Sequence, residues 1–188
     1  MSFSKLDQNQ IVREAVALLT EEGLDAVSLR KVATRLGVSV SSLYWHVKDK
    51  EALFGLMSAS IFGACIDAVK PSTDWRQWLH DFGVSLWDAQ ITIKDARQLI
   101  VIARPQASLA EKALGRILHI LSTLGLPEAR AIVAQRSVQA LVTGWTTLRS
   151  ATPHAVGADR ESFVVALDIL IAGWSAHLDA DERQEQPG

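Results

Sequence analysis

The sequence predicts an all-α protein, and three observations support that fold class. Apolar residues recur at helical spacing along most of the 188 residues. No Asn-Gly or Asp-Gly pair joins two segments of alternating polarity, so the usual signals of a β-hairpin are absent. A content of 48% hydrophobic and 21% charged residues is typical of a compact folded chain rather than a disordered one.

The first helix is predicted to begin after Asp7, which together with Gln10 resembles a capping box. Apolar residues then repeat at helical spacing until Gly23, which is expected to end the helix. Glu21 and Glu22 lie at this carboxyl end, where the helix dipole does not favour acidic residues. Contacts with other residues and simple solvent exposure are both open explanations for this acidic pair.

The next two helices are short and are joined by a tight turn. Ser28 is expected to cap the second helix, which Gly37 ends, and Ser39 is expected to cap a third helix reaching about Val47. This layout is typical of a helix-turn-helix, whose second helix lies in the major groove of DNA. The sequence therefore predicts a helix-turn-helix domain over residues 1–48.

Further helices follow to the end of the chain. Asp49 is expected to cap a long apolar helix that reaches about Lys70, and the stretch 71–74 is the clearest break. Residues 49–70 are interpreted as a connecting helix and 71–188 as a larger helical ligand-binding and dimerisation domain. Five helices are predicted in that domain, over about 75–91, 94–103, 108–124, 128–150 and 160–179.

Charge is distributed unevenly along the chain. The net charge is −2, whereas residues 28–50 alone carry +4, so a nucleic-acid surface would have to be local. The single cysteine, Cys65, excludes an intrachain disulfide and lies in an apolar run, which indicates a buried packing role. The amino terminus lacks the features of a secretory signal, and no apolar run is judged long enough to span a bilayer. We therefore expect a cytoplasmic protein.

Residues 7–55 resemble the TetR family of transcriptional regulators. The resemblance rests on Leu29-Arg30-Lys31-Val32-Ala33, Leu36-Gly37-Val38 and Ser42-Leu43-Tyr44-Trp45-His46-Val47-Lys48-Asp49-Lys50-Glu51-Ala52-Leu53. The part from Leu43 to Leu53 is closest to the tetracycline repressors within that family. The resemblance implies an all-helical homodimer with an amino-terminal DNA-binding domain and a carboxy-terminal domain that binds a ligand and dimerises.

The resemblance also implies which side chains meet double-stranded operator DNA. The implied residues lie at the start of the second helix, along the third and at the start of the fourth: Arg30, Ser39, Val40, Ser41, Ser42, Tyr44, Trp45, His46 and Lys50. Arg30 can donate two hydrogen bonds to guanine, while hydroxyls and Lys50 suit phosphates. Val40 and Ser41 stand where tetracycline repressors have glutamine and proline, so a tetracycline operator is not expected.

Tryptophan is unusually frequent for a chain of this length, and residues 71–188 hold five of the six tryptophans. They either fill a core or line an apolar cavity between helices. The candidate effector site comprises Trp78, Phe82, Trp87, Leu99, Ile100, Arg104, His119 and Trp145. Ile100 occupies the position at which the resemblance places a magnesium-binding histidine, and its hydrocarbon side chain cannot bind a hard cation. We therefore expect no metal and no cofactor, and a more apolar effector than a tetracycline–magnesium complex.

The sequence predicts a DNA-binding regulator, a repressor released from a palindromic operator by a small apolar effector. Its homodimer is expected to form through the last two helices, which carry wide apolar surfaces. Neither a metal-binding histidine spacing, a phosphate-binding glycine loop nor a nucleophile elbow is present, so no catalytic residue and no enzyme is predicted. The alternative is a helical ligand-binding or scaffolding protein without specific DNA recognition.

Overall fold

A computed structural model of the chain describes residues 6–103, 107–152 and 157–185, and these residues form nine α-helices with no strand among them. The helices are α1 (Gln8–Glu22), α2 (Leu29–Leu36), α3 (Val40–Tyr44), α4 (Lys50–Ala68), α5 (Trp75–Thr92), α6 (Ala96–Ile102), α7 (Ala107–Thr123), α8 (Glu128–Ala151) and α9 (Arg160–Glu185). The all-α fold class is therefore confirmed.

Local capping explains why most helix starts were predictable. Asp7 and Gln10 form the expected capping box, and the Asp49 carboxylate accepts a hydrogen bond from the Ala52 backbone N–H. Two local features differ from the prediction. Helix α3 ends at Tyr44, about one turn early, and a short 3-10 turn over Leu24–Ala26 follows α1.

The chain divides into two compact units that are not continuous in sequence. Unit 1 comprises residues 1–64 and 89–113, and unit 2 comprises 65–88 and 114–188. Helix α6 thus belongs to the same unit as the helix-turn-helix. The predicted divisions 1–48, 49–70 and 71–188 cut the chain differently and stay predictions.

Unit 1 has a continuous apolar core built around helix α1. One face of α1 contributes residues that are fully buried, among them Ile11, Leu18 and Leu19. Leu43 of α3 and Leu99 of α6 are equally buried in the same cluster. Burial of a leucine-sized side chain contributes roughly 1.5–3 kcal/mol, so this core holds the short helices α2 and α3, which would be marginal alone.

Unit 2 is organised by α5, which runs antiparallel to α9. Trp87 stacks on Phe163 with ring centroids 4.4 Å apart, and near the opposite end of α5 the Arg76 guanidinium donates to the Ser175 hydroxyl. Gly83 lies between them. A Cβ atom at Gly83 would come within 3.0 Å of side-chain atoms of Val138 in α8 and of Leu167 in α9. The missing side chain is what allows α5 to pack this closely.

Two helices are longer and more apolar than the sequence interpretation allowed. Lys50–Ala68 and Arg160–Leu178 reach mean hydropathies of 1.4 and 1.3, which is enough by length and composition to cross a membrane. The expectation that no such segment exists is therefore wrong. Small and polar residues interrupt each run of apolar residues, but they leave the mean hydropathy over the whole helix high. Only 17% of the residues in the α9 segment are buried within the chain, and Val165 and Ile169 are among its exposed apolar residues.

Cys65 lies near the end of α4 and is 3% exposed. Burial raises the pKa of its thiol to about 11. The expectation of a buried packing cysteine is confirmed, and so high a pKa leaves almost no reactive thiolate at neutral pH.

Candidate DNA-binding surface and effector site

The turn between α2 and α3 is built from one glycine and two serine caps. Gly37 adopts the left-handed conformation with φ 67°, and its backbone N–H donates to carbonyls of the last turn of α2. Ser28 accepts a hydrogen bond from the Lys31 backbone N–H, and Ser39 accepts one from Ser42. These local hydrogen bonds fix the angle at which α3 leaves α2.

Helix α3 presents its aromatic residues to solvent instead of to the core. The exposed fraction is 54% for Tyr44 and 89% for Trp45, and Ser39 and Ser41 are exposed as well. A tryptophan that is almost fully exposed loses the benefit of burying a large apolar ring. Such exposure indicates a contact surface, and these four residues are among those predicted to meet DNA.

The other predicted residues of this region are less accessible. Val40 is half-buried and packs against the unit 1 core, while Ser42 shares a hydrogen bond of 2.8 Å with the Ser39 hydroxyl. His46 is half-buried, and its carbonyl accepts a hydrogen bond from the Gln8 side chain at 3.0 Å. The structure thus divides the predicted set into an outward group and a partly packed group.

Fewer basic side chains of the helix-turn-helix are available to DNA than the sequence suggests, because two of them are engaged in ion pairs. Arg35 forms ion pairs with Glu14 and Glu21, and Lys31 pairs with Glu22. This pairing also explains why α1 ends with two acidic residues. Glu21 and Glu22 form ion pairs with residues of α2, so contacts with other residues, and not solvent exposure alone, account for them.

Three other cations of this region, Arg30, Lys48 and Lys50, are exposed and form no ion pair within the described part of the chain. The Lys50 ammonium lies 5.1 Å from the centre of the Phe54 ring, which holds its alkyl stem against α4. These three side chains keep their charge available for phosphates. Lys48 was not among the predicted site residues, although its charge and its position next to Asp49 were visible in the sequence.

The Arg35 hydrogen bond holds the pKa of the Glu21 carboxyl below its ordinary value of 4.5. Because the pKa of Glu21 is lower in the folded protein than in the unfolded chain, the ion pair stabilises the fold fully at pH values above the pKa of the unfolded chain. This stabilisation is lost as the pH falls through the pKa of Glu21 in the folded protein. The Glu21–Arg35 pair is therefore intact at neutral pH, where it orders α2 against α1 and keeps the Arg35 charge away from DNA.

A second contact in unit 1 joins the end of α1 to the start of α6. The Asp95 carboxylate accepts a hydrogen bond of 2.9 Å from the Leu24 backbone N–H, and Lys94 donates one of 3.0 Å to the Glu22 carbonyl. Asp95 has a left-handed backbone with φ 56° and makes no capping bond to its own helix. We call Gly23, Lys94 and Asp95 the Asp95 clamp. Partners 71 residues apart leave no local signal, so the sequence did not reveal it.

The predicted effector residues fall into both units. Trp78, Phe82 and Trp87 lie in the unit 2 core and are at most 4% exposed, and Trp78 stacks on Phe82 at 5.4 Å. In unit 1, Leu99 is fully buried against the α1 core and Ile100 is half-buried.

Two further candidates belong to unit 2, where His119 is exposed and Trp145 half-buried. Arg104 lies outside the described residues. The assignment of all eight residues to an effector site stays a prediction. Among the described residues no group of three or more acidic, histidine or cysteine side chains could hold a metal ion.

The chain is similar to known regulators over its whole length. Residues 11–57 match the family model described as bacterial regulatory proteins, tetR family. A class E tetracycline repressor protein from Escherichia coli is 26% identical over 98% of this chain and 97% of its own length. Matches to the class A and class C repressors cover 66% and 65% of those proteins, just under two thirds.

Solved structures agree with that similarity. A TetR variant from Acinetobacter baumannii AYE in complex with minocycline is 29% identical, with a TM-score of 0.72 over 92% of this chain and 98% of that one. BioQ with its natural double-stranded DNA operator is 25% identical, with a TM-score of 0.65 over 92% and 99%. Residues 11–57 thus carry the helix-turn-helix domain of the tetR family of bacterial regulatory proteins, and the chain as a whole is similar to repressors of that family.

Proposed function

We propose that the protein is a cytoplasmic repressor that binds a two-fold symmetric operator as a homodimer and leaves it when a small apolar effector binds. The observation that carries the proposal is the exposure of Tyr44 at the end of α3 and of Trp45 directly after it, together with the exposed cations Arg30 in α2 and Lys50 at the start of α4, which form no ion pair in the described structure. Aromatic and hydroxyl side chains there reach base edges and sugars, and the cations hold phosphates.

The operator should reflect the symmetry of a dimer. Two recognition helices related by a two-fold axis reach successive major grooves, which places the half-site centres about 10 bp apart or at a multiple of that spacing. Val40 cannot make the paired hydrogen bonds that read adenine, but its methyl groups can contact a thymine methyl. We therefore expect a sequence that differs from a tetracycline operator.

Selection from a pool of random DNA duplexes tests this proposal directly. We expect enrichment of an inverted repeat at moderate salt, protected symmetrically in a footprint. The Tyr44→Ala/Lys50→Ala variant should lose this footprint while keeping its helical circular dichroism spectrum, because both side chains are exposed. A chain that enriches no sequence, or binds all duplexes alike, is instead the helical ligand-binding protein of the alternative interpretation.

The exposed apolar surface of α8 and α9 supports the homodimer. Val133 and Leu148 of α8 and Val165 and Ile169 of α9 are 48–67% exposed, and a shallow groove of about 340 Å³ runs along α9. The groove is lined by Ile169, Leu170, Gly173, Trp174 and His177. The opposite faces of these helices, including Val138 and Phe163, are buried in unit 2 itself. Each helix therefore has one face for its own core and one for a second subunit.

Substitution of Ile169 with glutamate should convert the dimer into a monomer in sedimentation equilibrium, because a charge cannot be buried unpaired in an apolar interface. Val101→Glu is the matched control, since Val101 is 65% exposed against 67% for Ile169 but lies on α6. We expect the control to remain dimeric. Dissociation by both variants, or by neither, would contradict an interface built on α9.

The choice of an apolar effector follows from Ile100. Its hydrocarbon side chain is half-buried on α6 and offers no ligand to magnesium. An effector that touches Ile100 would act on the helix whose first residues form the Asp95 clamp with the end of α1. A shift of α6 is then transmitted to the helix-turn-helix, and together with a tilt of α4 it changes the separation of the recognition helices. The effector can do this only if it binds the released state more tightly than the DNA-binding state.

A further inference from the structure

Trp145 carries the one buried side-chain nitrogen or oxygen of the described residues that has no hydrogen-bond partner, its indole Nε1. The indole N–H only donates, so an acceptor is the only group that can satisfy it. Buried polar groups are almost always paired, and an unpaired one lowers stability. The rest of the residue is half-buried, so the nitrogen is the covered end of the ring.

The position of Trp145 on α8 directs its ring toward the inside of unit 2. Val138 and Val142 are fully buried on the same helix, and Trp145 follows them at spacings of seven and three residues, which are positions on one helical face. Leu148, three residues after Trp145, is exposed, so Trp145 lies at the border of the interior face, but its Nε1 atom is covered by atoms of this chain without a second subunit. The unpaired N–H therefore belongs to the interior face and not to the surface that we assign to the dimer.

Neighbouring side chains within unit 2 already have their own partners. The hydroxyls of Thr146 and Thr147 donate to backbone carbonyls of α8. The Trp87 and Phe163 rings stack on each other and carry no acceptor atom. A bound ligand is a source of the acceptor that no described residue supplies to the Trp145 N–H.

We propose that the indole N–H of Trp145 donates a hydrogen bond to a carbonyl oxygen of the effector. This inference rests on the proposed function and narrows its ligand to apolar ring systems that carry a neutral oxygen acceptor. A carboxylate is less suitable because burying a charge without a cation is costly. Three cations of this unit are already paired with carboxylates: Arg76 with Asp74, Arg116 with Asp67 and Arg160 with Asp88.

The hydrogen bond also explains how an effector of this kind could drive release. The N–H is already withdrawn from water in the ligand-free protein, so only the ligand carbonyl gives up a hydrogen bond to water when the new bond forms. A ligand whose acceptor reaches the N–H only in the released state gains that bond in one state alone. Such differential binding is what shifts a two-state equilibrium.

Fluorenone and fluorene test the proposal, since they share one apolar skeleton and differ by a single carbonyl group. We expect fluorenone to bind about 10-fold more tightly than fluorene, the ratio typical of one desolvated hydrogen bond, and to move the Trp145 indole signal downfield in proton–nitrogen correlation spectra. Trp145→Phe should abolish the preference for fluorenone. Trp75→Phe, which removes another buried indole of unit 2, should retain it.

Several results would overturn the assignment. These are binding of neither compound, equal affinity for both, a preference that survives in Trp145→Phe, or a contact between the indole proton and a trapped water that persists with fluorenone bound. If the Trp145 indole signal does not respond to fluorenone but changes in the monomeric Ile169→Glu variant, the hydrogen-bond acceptor belongs to the second subunit and not to the effector. If Trp145→Phe fails to fold, benzothienylalanine at position 145 keeps the ring shape and lacks the N–H. Operator binding by the unmodified protein without fluorenone or fluorene tests the proposed function separately from this inference. If the unmodified protein binds no operator, the proposed function is wrong. If it binds an operator but shows no preference for fluorenone, only this inference is wrong.

Discussion

Replacing Arg30 and Lys50 with alanine is expected to weaken operator binding about 100-fold and to flatten its dependence on salt. Both side chains are exposed at the two ends of the recognition surface, and neither forms an ion pair in the described structure. Each cation that leaves a phosphate lowers the slope of log K against log salt concentration by about 0.9, so the pair should lower it by about 2. Binding titrations at four or more salt concentrations measure both quantities.

Lys31 and Arg35 offer a control with the same loss of charge in the same motif. Their charges are engaged by Glu22 and by Glu14 and Glu21, so they have little left to give to DNA. Lys31→Ala/Arg35→Ala should therefore keep the wild-type salt slope while unfolding at a lower urea concentration. Equal slopes for the two double variants would show that net charge, and not the pairing seen here, decides phosphate binding.

This contrast shows how far the sequence could lead. Arg30, Lys31 and Arg35 are equivalent in a count of charges, and the count of +4 over residues 28–50 was correct. What the count could not reveal is that α1 packs its acidic end against α2, because that contact joins residues up to 21 positions apart. Only the folded arrangement separates the cations that serve stability from those that serve DNA.

Signals contained within a single helix or turn were the ones that succeeded. The capping box at Asp7, the left-handed Gly37 and the Asp49 cap each depend on atoms within four residues, and all are present. The end of α3 was misplaced because Trp45 and His46 continue a helical pattern that gives way to a turn before α4. Sites assembled from distant segments, such as the Asp95 clamp, left no pattern along the chain.

Within the Asp95 clamp, Gly23 is the residue at which an added methyl group should lower the free energy of unfolding most. Its backbone has φ 95° and ψ 177°, a region open essentially only to glycine. A Cβ atom there would lie 2.6 Å from the Asp95 Oδ2 atom and 3.0 Å from the Lys94 side chain. Relief of the overlap requires the carboxylate to leave the Leu24 N–H. We expect Gly23→Ala to lower the free energy of unfolding by about 3–4 kcal/mol, combining backbone strain with a lost hydrogen bond.

Gly37 supplies the matched comparison, because its φ is also positive but a Cβ atom there would meet nothing within 4 Å. Gly37→Ala should therefore cost only the left-handed backbone penalty of about 1–2 kcal/mol. Urea unfolding at one fixed protein concentration measures both values, since the stability of a dimer varies with concentration.

A double-mutant cycle assigns the excess to the clamp. In an Asp95→Ala background the overlap with the carboxylate is gone, so Gly23→Ala should keep its backbone penalty and lose the part of its cost that comes from displacing the carboxylate from the Leu24 N–H. If the full penalty persists there, the backbone alone is responsible and Asp95 does not hold the end of α1. If it disappears, the link from α6 to the helix-turn-helix is a stabilising contact of unit 1. An effector that moves α6 must then break that contact to release the operator, so a weakened clamp should lower the effector concentration needed for release.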